Sequence, residues 1–250
     1  EQKSLEAFST GATLSPASTD DFNHWYVCQS WDNQGFVTNY SIPPFVTGED
    51  VKPGNYKGAD GKDYYAFIRS DYIVYTITET GTADVYLAVE DDKPPVSITV
   101  KNGEGSETVT GSMRVAITTQ AVGADGHSAT GPETVRVVYA LNNETGKGND
   151  STAKDGWTSI QNVNGTPQLE HVTYPYVYAG NYTDQKAPNT KNWAATKEGD
   201  NFTVPENSEA IAENVGYDGI VVHVYIWMEG TDADCVNGKS VEDDSSTYDV

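Results

Sequence analysis

Ile220-Val221-Val222-His223-Val224-Tyr225-Ile226-Trp227-Met228 decides the fold class. In an extended chain Val222, Val224, Ile226 and Met228 share one face. Val221, His223, Tyr225 and Trp227, continued by Glu229, share the other. β-Branched and aromatic residues at a period of two predict a half-buried strand. Its aliphatic face is expected inward, with His223 on the outer face.

The same period recurs elsewhere. Tyr72–Thr78 alternates, and so do Val85, Leu87 and Val89 against Asp84, Tyr86 and Ala88. Met113, Val115 and Ile117 alternate against Arg114, Ala116 and Thr118, and Val135, Val137, Tyr139 and Leu141 against Thr134, Arg136, Val138 and Ala140. Gly81-Thr82, Asn102-Gly103, Gly123-Ala124-Asp125-Gly126, Asn164-Gly165 and Asn237-Gly238 carry turn chemistry. Alternating strands punctuated by turns predict an all-β antiparallel sandwich with little helix. The best helical stretch is Ser208–Val215, with Asn207 as N-cap and Gly216 as stop. Residues 142–192 are rich in Asn, Gly, Thr and Lys, with isolated aromatics. They head an insertion of about 142–216 in a single sandwich domain, 21–250, behind an N-terminal segment, 1–20; a separate small domain is the alternative.

The chain has 37 acidic and 15 basic residues, a net charge of −22. A phosphate backbone or an anionic membrane surface would repel it, so neither nucleic acid nor such a surface is an expected partner. No apolar run reaches the roughly 18–20 residues that span a bilayer. With 5 Trp, 16 Tyr and 6 Phe it is too aromatic for a solvating tail. It opens Glu1-Gln2-Lys3, as a processed mature chain would.

His24, His127, His171 and His223 have no metal-ligand spacing, and no nucleophile or phosphate-loop motif is present. The expectation is therefore a protein that is not an enzyme. Carboxylates crowded on loops suit Ca²⁺, the one candidate cofactor, at Asp60, Asp63, Asp91, Asp92, Asp232 and Asp234; solvated acidic loops are the alternative. Cys28 and Cys235 would form one disulfide in a secreted protein, closing a loop of about 200 residues; two buried thiols are the alternative. Glycosylation sequons stand at Asn39, Asn143, Asn149, Asn164, Asn181 and Asn201.

Val222-His223-Val224-Tyr225-Ile226-Trp227-Met228-Glu229-Gly230-Thr231-Asp232-Ala233-Asp234-Cys235 resembles the final strand and following loop of secreted Gram-positive proteins of the TasA/camelysin group, exported with the SipW-type signal peptidase. Ala12-Thr13-Leu14-Ser15-Pro16-Ala17-Ser18 is similar to an early segment of the same proteins. The resemblance implies a jelly-roll-like β-sandwich, an extracellular location and assembly into biofilm-matrix fibres, in which an N-terminal segment of one subunit completes the sheet of the next. This chain differs in its long insertion and in an ending, Ser245–Val250, without a clear last strand.

At the N-terminus Phe8, Thr10, Ala12 and Leu14 alternate with Ser9, Gly11 and Thr13, a strand-like pattern. Donated head to tail, such a strand satisfies an open sheet edge and builds a filament of copies of the chain. Pairing within its own sandwich is the alternative. The expected function is thus a structural subunit of an extracellular filament. The second reading is a glycan- or surface-binding adhesin in which Tyr174, Tyr176, Tyr178 and Trp193 stack on sugar rings; a small core of the insertion's own is the alternative for these aromatics.

Overall fold

The computed structural model of the protein describes residues 13–19, 21–31, 33, 37–48, 52–90, 97–99, 112–140, 157–163, 166–172, 176–178, 194–198, 201–204, 208–232, 235 and 247–249. The N-terminal half begins with β1 (Ala17–Ser18), β2 (Tyr26–Trp31), β3 (Val37–Ser41), β4 (Asn55–Lys57) and β5 (Asp63–Tyr65). It continues through β6 (Ile68–Val74), β7 (Ala83–Val85), β8 (Leu87–Glu90), β9 (Ser97–Thr99), β10 (Met113–Val122) and β11 (Ala129–Ala140). Then follow β12 (Trp157–Val163), β13 (Thr166–Val172), β14 (Tyr176–Tyr178), β15 (Ala194–Glu198), β16 (Asn201–Thr203), β17 (Ala212–Val215), β18 (Ile220–Met228) and β19 (Thr247–Asp249). The fold is all-β and sandwich-like, as the alternation predicts, and none of the described residues is helical. Hence no helix among them is long and apolar enough to cross a membrane.

The central sheet has the order β14-β11-β10-β18-β6. β18 lies antiparallel to β10 from Met113↔Met228 to Ala121↔Ile220, and to β6 from Ile226↔Ile68 to Ile220↔Val74. β10 and β11 form the hairpin predicted at Gly123–Gly126. There the Asp125 carboxylate accepts the His127 and Ser128 N–H groups at 2.9 Å each. Those backbone bonds hold its pKa down at about 2. β12 and β13 pair antiparallel from Trp157↔Val172 to Val163↔Thr166; the Asn164-Gly165 turn expected between them lies outside the described residues. Strands from the stretch expected as an insertion pair with strands before it: β14 runs parallel to β11, and β15 parallel to β8.

Both faces of the central sheet are covered. On one side Tyr225, Trp227, Ala116 and Val138 pack against Ala17, Phe22, Trp25, Val27, Tyr56 and Phe67 from β1 to β6. Trp25 stacks on Phe67 at 4.2 Å between centroids and meets Trp227 edge-on at 5.6 Å. Phe22 reaches this cluster from a backbone with φ of 60°. Thr19 holds that turn: its hydroxyl accepts the Phe22 N–H at 3.0 Å and donates to the His24 carbonyl at 2.7 Å. The left-handed conformation costs about 1–2 kcal/mol, offset by burying the ring. On the other side Val115, Ile117, Val137, Tyr139 and Val222 pack with Ile211, Leu87, Tyr72 and Val74.

Four expectations need correction. His223 is not on an outer face: it is 2% exposed, and Tyr225, Trp227 and Glu229 on its side are at 2%, 0% and 0%. The N-terminal strands cover that side, and its polar groups find partners there. Residues 212–215, expected as part of a helix, are strand β17, because Ala212 pairs with Val85, Val215 with Ala83, and the Asn214 N–H bonds the Asp84 carboxylate at 2.9 Å. The strand expected over Tyr72–Thr78 starts earlier, at Ile68. The ending does contain a strand, β19, antiparallel to β9.

Trp25 touches Phe22, Phe67, Tyr225 and Trp227. Trp25→Ala is therefore expected to destabilise by about 3–5 kcal/mol in urea unfolding. Ile77→Ala, at a side chain 86% exposed, is expected to stay within about 0.5 kcal/mol.

Candidate functional site: the seat of the N-terminal strand

Thr13–Ser18 runs as an extended segment across two supports. At the first, the Tyr65 N–H donates to the Thr13 carbonyl at 3.0 Å and the Ser15 N–H donates to the Tyr65 carbonyl at 2.9 Å. These two bonds flank a parallel bridge between Leu14 and Tyr65. At the second, β1 lies between β2 and the end of β18. Ala17 and Ser18 pair with Val27 and Tyr26, and Ala17 also bridges Glu229. The Pro16 carbonyl accepts the Cys28 N–H at 3.1 Å, and the Ala17 carbonyl accepts the Gly230 N–H at 2.9 Å. Ala17 and Ser18 are fully buried, which their small side chains permit.

The turn after β18 builds this second support. The Glu229 carboxylate, 0% exposed, accepts the Trp227 indole N–H at 3.0 Å, the Thr231 N–H at 3.2 Å and the Thr231 hydroxyl at 2.9 Å. Ser18 adds a side-chain hydrogen bond to the same carboxylate. Burial raises the Glu229 carboxyl above the ordinary carboxylate range, against the downward pull of Trp227 and of the Arg114 charge. Gly230 allows the close approach. A Cβ there would stand 2.7 Å from Cys28 Sγ, 3.4 Å from Tyr40 Cε1 and 3.5 Å from Pro16 Cβ. Asp232 is ion-paired with Arg114, both almost fully buried. The Cys235 N–H closes the turn on the Asp232 carbonyl at 3.0 Å.

The expected disulfide is absent. Cys28 and Cys235 are both buried free thiols. Burial raises the Cys28 thiol pKa strongly, and the nearby Cys235 and Glu229 charges add to it. The Cys28 sulfur faces Gly230 and shares a hydrogen bond with the Tyr40 hydroxyl, so it is already packed and partnered within β2 and β3.

A second buried polar group lies on the same face, toward the other end of β18. His223 Nδ1 lies 2.6 Å from Asp71 Oδ1, and Nε2 lies 3.1 Å from Gln120 Oε1. Arg69 Nε is 2.8 Å from Asp71 Oδ1. Burial pushes the Asp71 carboxyl up, but the His223 hydrogen bond and the Arg69 charge together hold it below its usual value. The Tyr225 hydroxyl donates to Glu133 at 3.2 Å, and Thr118 donates to the same carboxylate. Each of these groups finds its partner inside the protein.

Of the calcium candidates, Asp60 pairs with Lys62 at 3.6 Å and Asp63 with Lys57 at 2.7 Å, so lysines already sit on both carboxylates. Asp232 faces Arg114. Asp91, Asp92 and Asp234 lie outside the described residues. Among the described residues no three His, Cys, Asp or Glu side chains gather to hold a metal ion. Asn39, in β3, and Asn201, at the start of β16, are exposed; Asn143, Asn149, Asn164 and Asn181 lie outside the described residues. So do Tyr174 and Trp193, while Tyr176 and Tyr178 form the ends of β14. Of the candidate donor residues Leu14 is in the seat, and Phe8, Thr10 and Ala12 lie outside the described residues. Sequence reasoning missed Ser18, Tyr65, Arg114 and Gly230 as parts of the seat. The Glu229-Gly230-Thr231-Asp232 run was the available signal, since a glycine between buried acids implies a close backbone approach.

No family model, curated protein or solved structure matches this chain.

Two outcomes follow from the seat. Gly230→Ala is expected to destabilise by about 1–3 kcal/mol, since Cys28 or β1 must shift, and to speed amide exchange at Ala17 and Cys28. The raised Glu229 pKa stabilises the fold fully below the unfolded-chain value of about 4.3, and that contribution is lost as the pH rises through the folded-state value. Glu229→Gln leaves the Trp227 N–H without its carboxylate and carries no such dependence. Denaturation from about pH 4 upward should show the deficit of the variant narrowing as the pH rises.

Proposed function

We propose that this protein is a structural subunit of an extracellular filament or matrix, in which the N-terminal arm, residues 1–15, of one copy lies along β5 of the next. The reading agrees with the resemblance to the TasA/camelysin group. The observation that supports it most is at Tyr65. Both backbone groups of this edge residue are taken by Thr13 and Ser15 of an arm that meets the rest of the fold there as one added strand. The same two bonds form equally well with an arm from another copy, as in domain swapping. Pro16 is the natural hinge, because β1 beyond it is fixed between β2 and Glu229.

Exchange of an arm head to tail is a heterologous contact and so propagates. A charge of −22 on every copy opposes it. Full burial of Phe8 and Leu14 would contribute about 1.5–3 kcal/mol each, and salt would weaken the repulsion. Polymerisation is therefore expected to rise with ionic strength.

Removing residues 1–15 tests the reading. The expected product is folded and soluble, binds a synthetic peptide of residues 1–15, and forms no filaments by negative-stain microscopy. Filaments of unchanged morphology from the truncated chain would overturn it. A truncated chain that cannot fold would make the arm a fixed part of its own sandwich.

A further inference from the structure

β6 ends the central sheet, and among the described residues no strand pairs with its outer side. Natural edge strands are usually blunted by Lys, Pro, bulges or brevity. Ile68-Arg69-Ser70-Asp71-Tyr72-Ile73-Val74 contains no Lys, Pro or Gly. Its ladder with β18 runs seven pairs without a register shift. At its end and just beyond, alternate apolar side chains stand in water: Ile73 is 37% exposed, Tyr75 44% and Ile77 86%. The edge also differs from the rest of the chain in charge. In a protein of net charge −22, β6 carries one cation and one anion, Arg69 and Asp71, whose side chains keep 27% and 33% of their surface accessible.

The order of those charges makes the edge complementary to itself. In an antiparallel pair of identical strands centred on Ser70, Arg69 falls opposite Asp71 of the second copy, and Asp71 opposite its Arg69. Ile68 falls opposite Tyr72. Four charges then alternate in sign across the junction, and none is left facing its like. Opposite charges and aromatic–aliphatic pairs are the cross-strand combinations that stabilise a sheet. We infer that β6 pairs antiparallel with β6 of a second copy about a twofold axis at Ser70, joining two central sheets into one. The contact is isologous and closes on itself. It adds a lateral interface to the subunit role proposed above and rests on that role for its use.

Disulfide trapping in the full chain tests the contact. Directly opposed residues of an antiparallel pair lie about 4.5–5.5 Å apart at Cα, within disulfide range. Ser70→Cys should give a covalent dimer under mild oxidation, since Cys28 and Cys235 are buried. Ile42→Cys, at a more open residue, 54% exposed where Ser70 is only partly so, should not. Ser70→Lys sets like charges on the axis and should weaken sedimentation-detected dimerisation roughly tenfold or more, with the circular dichroism unchanged. A Ser70→Cys chain that crosslinks no better than Ile42→Cys overturns the inference, as does a Ser70→Lys chain that dimerises like the parent. Both readouts concern pairs of full-length chains. Failure of the arm to exchange would abolish filaments and leave the covalent dimer in place, so the two contacts are judged separately.

Discussion

A carboxylate shut away from water at Glu229 governs the arrangement around it. Leaving such a group without donors would cost several kcal/mol. Its donors come from three places: Trp227 at the end of β18, Thr231 in the following turn, and Ser18 in β1. The N-terminal strand, the central sheet and the turn must therefore meet at one point for any of them to be satisfied. The close approach at Gly230 and the Arg114–Asp232 pair follow from that meeting. So does the position of Cys28, packed against Gly230 rather than bonded to the other cysteine.

The polar side chains along the same face fix register. A shift of β18 by one residue would carry His223, Tyr225, Trp227 and Glu229 to the opposite, aliphatic side. His223 would lose Asp71 and Gln120, Tyr225 would lose Glu133, and Glu229 would lose every donor it has. Apolar burial alone would punish the slip weakly, because both sides of this strand are covered. Hydrogen bonds buried at low dielectric make the penalty large.

That two-sided burial also sets how far the sequence could be read. Period-two alternation located β18 and most of β10, because a strand must alternate whichever side faces the core, but it placed the start of β11 at Thr134, five residues after its observed start at Ala129. It misassigned the faces of β18, since His, Tyr, Trp and Glu look like a solvent side until another layer covers them. Ser208–Val215 has a helix-like cap and stop, but its fate is decided by Asp84 and Val85, remote in sequence. Of the strand-like stretch Phe8–Leu14, Leu14 is described, and it bridges Tyr65. Its partner Tyr65 carries no local signal, because the bonds use only the backbone of that residue.

The position of β18 in the sheet has a kinetic consequence. It follows both β10 and β6 by a long stretch of chain, yet it lies between them in the sheet. The His223–Asp71 bond spans 152 residues, and the Arg114–Asp232 pair spans 118. Contacts this distant give a high contact order and slow folding. While the ribosome is still adding residues before about 220, β6 and β10 have no strand to join them, and β1 has no Glu229 to bind. The β10–β11 hairpin can form as soon as it is made, but the central sheet closes and Glu229 finds Ser18 only after β18 has emerged.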